Sequence, residues 1–123
     1  MTREKQTKGA RGEEIAVAFL RVQGYRILER NYRCPLGEVD IIARDGNTVV
    51  FVEVKTRTSE RFGTPQAAIG PQKQKRMTAI ALYYLKGQGW LGAPARFDVA
   101  AVSLHEGRET VTLFRNAFDA RGY

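Results

Sequence analysis

The chain has 123 residues and a mass of 13.8 kDa, close to the ~100–150 residues of a typical single domain. Its 43% hydrophobic and 27% charged residues suit an ordinary folded protein and exclude wholesale disorder. Twenty Lys and Arg against thirteen Asp and Glu leave +7 and a pI near 9.9, a surplus that points to nucleic acid as partner before an anionic membrane.

Residues 1–8 read as a basic arm, with Arg3, Lys5 and Lys8 against Glu4. The first fifteen residues lack the apolar core of a signal peptide, so a cytoplasmic protein is expected. A helix follows over Ala10–Val22, stopped at Gly24. At about 100° per residue, Ile15, Ala16, Phe19, Leu20 and Val22 form its buried stripe. Tyr25–Tyr32 reads as a strand centred on Ile27 and Leu28. Beyond it stands the one cysteine, Cys34, which excludes an internal disulfide and a cysteine-based zinc cluster.

Glu38–Arg44 and Thr48–Lys55 are strands joined across Asp45-Gly46-Asn47, a strong hairpin signal because Asp, Gly and Asn tolerate positive φ. Val49-Val50-Phe51-Val52 is apolar on both faces, the pattern of a central strand covered on both sides. Thr56–Gly70 is unpatterned and reads as a loop. A second helix opens at Pro71 and ends at Gly87, burying Met77, Ile80, Ala81, Tyr84 and Leu85. It contains the longest apolar run, Ala79–Leu85, seven residues where a membrane span needs ~20; no membrane partner is expected. Phe97–Val102 and Thr110–Phe114 close the pattern as strands. The single His105 leaves no His pair for a metal or a nucleophile–base couple. The expectation is one α/β domain over residues 9–118, with a mixed central sheet flanked by helices in α-β-β-β-α-β-β order and a short tail at 119–123.

The chemistry concentrates on three acids and a lysine. Glu53 and Lys55 interrupt the apolar central strand, and their spacing of two puts them on one face. With Asp45-Gly46 as the turn, Asp40 faces Phe51 and lies diagonal to Glu53. With Gly46-Asn47 as the turn, Asp40 sits opposite Glu53, and Glu38 opposite Lys55. Either register places Asp40, Glu53 and Lys55 together, with side-chain bases roughly 5–8 Å apart. Two carboxylates that close repel unless a cation lies between them, and a hard divalent ion fits. On the first helix Glu13 lies at the edge of the buried stripe and can face the sheet, while Glu14 meets solvent. Gly12 beside it permits close approach to another backbone or a phosphate. An acidic pocket within a basic protein is what metal-dependent phosphodiester cleavage requires.

Glu13, then Gly37-Glu38-Val39-Asp40, then Phe51-Val52-Glu53-Val54-Lys55-Thr56-Arg57 resemble the PD-(D/E)xK nuclease superfamily. Within it, Asn31-Tyr32-Arg33-Cys34 with the two following segments is similar to the YraN-like family, related to Holliday junction resolvases. The resemblance runs from Gly9 to about Phe118; Val39 stands where the superfamily's name has proline. It implies a restriction-endonuclease-like fold, Mg²⁺ or Mn²⁺ held by Asp40 and Glu53, a catalytic Lys55, and Glu13 completing the site. The expected function is metal-dependent endonuclease cleavage of DNA ahead of RNA, with branched or recombination DNA as the finer reading. The Val54 carbonyl joins the ligand set, and Glu38 is a second candidate whose alternative is a salt bridge to Lys55 or Arg57.

Lys73, Lys75 and Arg76 open the second helix, and Arg57 and Arg61 lie in the loop before it; all five are candidate nucleic-acid contacts. Met1–Gly12 carries a net +3 and Arg57–Arg76 a net +4, together the whole surplus. A junction-cutting enzyme would be a homodimer, because a four-way junction has two symmetric strands to cut. The alternative function is a non-catalytic nucleic-acid-binding module that keeps the nuclease fold.

Overall fold

The computed structural model describes residues 8–58 and 68–120. Helix α1 (Lys8–Val22) leads into β1 (Arg26–Cys34), β2 (Gly37–Asp45) and β3 (Thr48–Arg57). Helix α2 (Pro71–Gln88) then precedes β4 (Ala95–His105) and β5 (Arg108–Phe118). The strands form one mixed sheet in chain order. Only β3 and β4 are parallel, joined across α2; the other neighbours are antiparallel. This is the single α/β domain and element order that the sequence predicts.

The central strand explains the layering. Alternate residues of β3 point to opposite faces. Val49 and Phe51 pack with Met77, Ile80 and Tyr84 of α2. Val50 and Val52 pack with Ala16, Val17 and Leu20 of α1. Val22, expected in the α1 stripe, is 83% exposed. Two residues past Leu20 it has turned roughly 160° away on the helix wheel, and the stripe runs instead through Gly12, Ala16, Val17 and Leu20. Helix α2 passes through Gly87 and stops at Gly89, whose φ of 76° is left-handed and whose N–H bonds back to Lys86 O at 3.1 Å. Among the described residues no helix is long and apolar enough to cross a membrane.

At Gly12 the helix lies directly on β3. A Cβ there would overlap Thr56 Oγ1, with Thr56 Cβ and Cγ2 also only 3.2 and 3.3 Å away. Rotating Thr56 therefore exchanges one clash for another. Gly12→Ala should cost on the order of 1–2 kcal/mol, despite alanine's better helix propensity. Urea unfolding checks this, and a stabilised variant would show that α1 can lift without penalty.

Candidate active site

The hairpin register is Asp45↔Thr48 through Ile41↔Val52, so Gly46-Asn47 is the turn. Counting on from that ladder puts Asp40 opposite Glu53. There the pairing ends. Strand β2 stays with β1 as far as Cys34↔Gly37, while β3 stays with β4 as far as Arg57↔Ser103. The Val54 N–H, which a longer ladder would give to β2 backbone, donates to Asp40 Oδ2 at 2.7 Å. A strand residue's carbonyl points to the same side as its N–H, so Val54 O also faces the gap. The parting strands leave a cleft of about 600 Å³ lined by Glu13, Glu38, Asp40, Glu53, Lys55 and Lys73, among others.

Glu53 ends the apolar run of β3 and is buried, 5% exposed. It pairs with Lys73 Nζ at 2.8 Å and more loosely with Lys55 Nζ at 3.9 Å. Asp40 is in hydrogen-bonding contact with Glu53, and its carboxyl is pushed up to about 6. Burial is the larger cause and the Glu53 charge the second; the Val54 N–H and Lys73 pull the other way. Glu13 reaches in from α1. Its carboxyl is also raised, first by burial and then by the Asp40 charge, against the Asn31 side chain and the charge of Arg30. The three acids thus lie in one electrostatic neighbourhood, with Asp40 and Glu53 as the touching pair.

These donors are hard oxygens, the ligand type of Mg²⁺ and Mn²⁺, and the raised Asp40 carboxyl faces a second carboxylate, a pairing that a bound cation would relieve. Among the described residues no three His, Cys, Asp or Glu side chains gather tightly enough to enclose an ion by themselves. Two carboxylates, the Val54 carbonyl and water fit Mg²⁺, which commonly keeps several waters and only one or two carboxylates.

The remaining predicted residues divide. Lys55, Val54, Arg57 and Lys73 line the cleft. Lys75 and Arg76 are exposed and outside its lining; the Arg76 stem packs over Gly37, its Cδ 3.1 Å from where a Cβ would stand. Glu38 lines the cleft but pairs with Arg33 at 2.9 Å, not with Lys55 or Arg57. That pair forms because Arg33 and Glu38 are cross-strand partners on β1 and β2. Arg61 and residues 1–7 lie outside the described residues. Sequence reasoning quoted Asn31 only within the resemblance motif and gave it and Arg30 no role at the site, although both act on the Glu13 carboxyl. An asparagine inside a strand pattern was the available signal.

The model of the "Uncharacterised protein family UPF0102" matches residues 12–102. A UPF0102 protein of Syntrophus aciditrophicus is 52% identical over 119 residues, covering 97% of this chain and 93% of its own. One from Desulfosudis oleivorans is 50% identical over 121 residues, covering 98% and 96%. Among solved structures, Pyrococcus furiosus SfsA in complex with Ca²⁺ aligns with a TM-score of 0.37 at 15% identity. That alignment spans 89% of this chain and 62% of SfsA, a likeness that assigns neither fold nor function. The full-length matches at about half identity are decisive: the chain belongs to the protein family UPF0102, whose fold type is that of the PD-(D/E)xK nucleases.

Proposed function

We propose that the protein is a divalent-metal-dependent endonuclease that hydrolyses phosphodiester bonds in DNA, with branched or recombination intermediates as its substrates. The observation that carries this reading is the forced contact of Asp40 and Glu53 beside Lys55, where two strands part. Asp40, Glu53 and the Val54 carbonyl would hold Mg²⁺ or Mn²⁺, with Glu13 closing the set. Such an ion, when bound, supplies Lewis acidity at the phosphate and lowers the pKa of a bound water. The Lys55 ammonium orients that water or donates to a phosphate oxygen as charge builds in the transition state. Lys73, freed from Glu53, meets the phosphate backbone, and Arg57 extends the cationic wall.

Lys73 already neutralises Glu53, an observation that favours the second reading, a binding module that needs no ion. Cleavage assays on branched, single-stranded and duplex DNA with Mg²⁺ or Mn²⁺ separate the two. Lys55→Ala should reduce cleavage about 100-fold or more while DNA affinity falls only a few-fold. Undiminished cleavage in this variant would remove Lys55 from the site. Salt-sensitive binding without cleavage of any substrate would favour the module.

A further inference from the structure

We propose that Asn31 is a positioning residue of the acidic cleft: its backbone turns Asp40 into the opening, and its side-chain amide holds Glu13 beside it. The proposal rests on the metal-dependent reading above. Residues two apart on a regular strand share a face. At the pair Arg30↔Ile41, Ile41 packs with Ala16 and Leu20 beneath α1. At Tyr32↔Val39, two residues on, both side chains pack on the other face. Val39 joins the cluster of Met77 and Ile80, and the Tyr32 ring stands edge-on to Tyr84 with centroids 5.1 Å apart. The switch of face therefore falls on the residues between, Asn31 on β1 and Asp40 on β2.

Its cause is visible in the backbone. Asn31 has φ 53°, a left-handed conformation that asparagine tolerates better than most residues with a Cβ. Asparagine is depleted in strands and Asn31 is exposed, so neither strand propensity nor burial accounts for it. The side chain of the same residue faces Glu13 and favours its charged form. As Glu13 carries the carboxylate, the amide N–H is the end that does so. One residue thus links α1 to the point where β2 leaves β3, and sets two of the three acids relative to each other.

Asn31→Gly keeps the left-handed backbone and removes the amide; Asn31→Ala removes the amide and strains the backbone as well. Mn²⁺ titration of the full chain by calorimetry, with melting temperatures alongside, reads both effects. N31G should bind Mn²⁺ about tenfold more weakly at an unchanged melting temperature. N31A should lose further affinity and melt lower. In a Glu13→Gln background, N31G should have no additional effect on Mn²⁺ affinity, because the amide acts through Glu13. Native affinity in N31G, or additive losses in the double variant, overturns the role of Asn31 and leaves the metal-dependent reading standing. No Mn²⁺ binding by the native chain overturns both.

Discussion

Asp40→Asn should yield a chain that no longer binds Mg²⁺ or Mn²⁺, yet in their absence is more stable than the native protein at neutral pH. The native carboxyl sits at about 6 in the folded state against an ordinary 3.8, raised by burial and by Glu53. Between those values the folded chain holds a proton that the unfolded chain has released. Stability therefore falls as pH rises from about 4 to about 6, and the whole penalty persists above that window. Its size is about 3 kcal/mol. Asparagine has no charge to bury, and its Oδ1 can still accept the Val54 N–H. The expected result is a melting temperature roughly 10 °C higher for Asp40→Asn at pH 7.5 without metal, and no difference near pH 4. Added Mn²⁺ should reverse the order, raising the native melting temperature by ligand linkage and leaving the variant unmoved. Equal melting of the two proteins at pH 7.5 would mean that Asp40 is not electrostatically frustrated. An equal Mn²⁺ response would mean that it is not a ligand.

This frustration was partly legible in the sequence because its ingredients are local. The apolar run Val49–Val52, the Glu-x-Lys that ends it and the Asp-Gly hairpin are short-range patterns. Strand periodicity alone brings Asp40, Glu53 and Lys55 to one place. The parting of β2 from β3 is not local. It depends on Asp40 taking the Val54 N–H and on a left-handed residue in the neighbouring strand, and neither alters hydrophobic alternation. The same limit explains the side-chain partners. Lys73 reaches Glu53 only because α2 crosses back over the sheet, and Glu38 finds Arg33 through β1–β2 pairing. Gly87 and Gly89 are equally good stop signals on paper, and the backbone conformation that decides between them is set by how Trp90 folds back, its N–H bonding Leu85 O at 2.7 Å.

The largest loss of stability should come from beside the first half of β3, at a buried polar cluster that holds the scaffold rather than the cleft. Asp98 is 0% exposed. It accepts from Tyr25 Oη at 3.1 Å, Arg96 Nε at 3.0 Å and the Asn116 N–H at 2.9 Å. Arg96 Nη2 donates to Tyr25 Oη at 2.6 Å and to Asp45 at 3.0 Å. Burial works against the Arg96 charge, but hydrogen bonds to Asp98 and Asp45 outweigh it and hold the guanidinium more firmly protonated than usual. One carboxylate thus ties together Tyr25 in the α1–β1 connection, β4 and the bent end of β5, and through Arg96 it also holds the β2–β3 hairpin. The bend itself follows from Asp98, because β4–β5 pairing slips between Phe97 and Val99 and the Asn116 N–H turns to the carboxylate instead of the ladder. Asp98→Ala would leave a half-buried guanidinium, a buried hydroxyl and a backbone N–H short of a partner, at about 3–5 kcal/mol. That is a large fraction of the ~5–15 kcal/mol that stabilises a domain. Asp98→Asn retains the shape and one acceptor and should lose less. Urea unfolding of both variants reads the difference. A loss below ~1 kcal/mol for Asp98→Ala would mean that Asp45 and water can satisfy the cluster alone. In that case the sheet does not depend on this carboxylate for the rigidity against which β2 and β3 part.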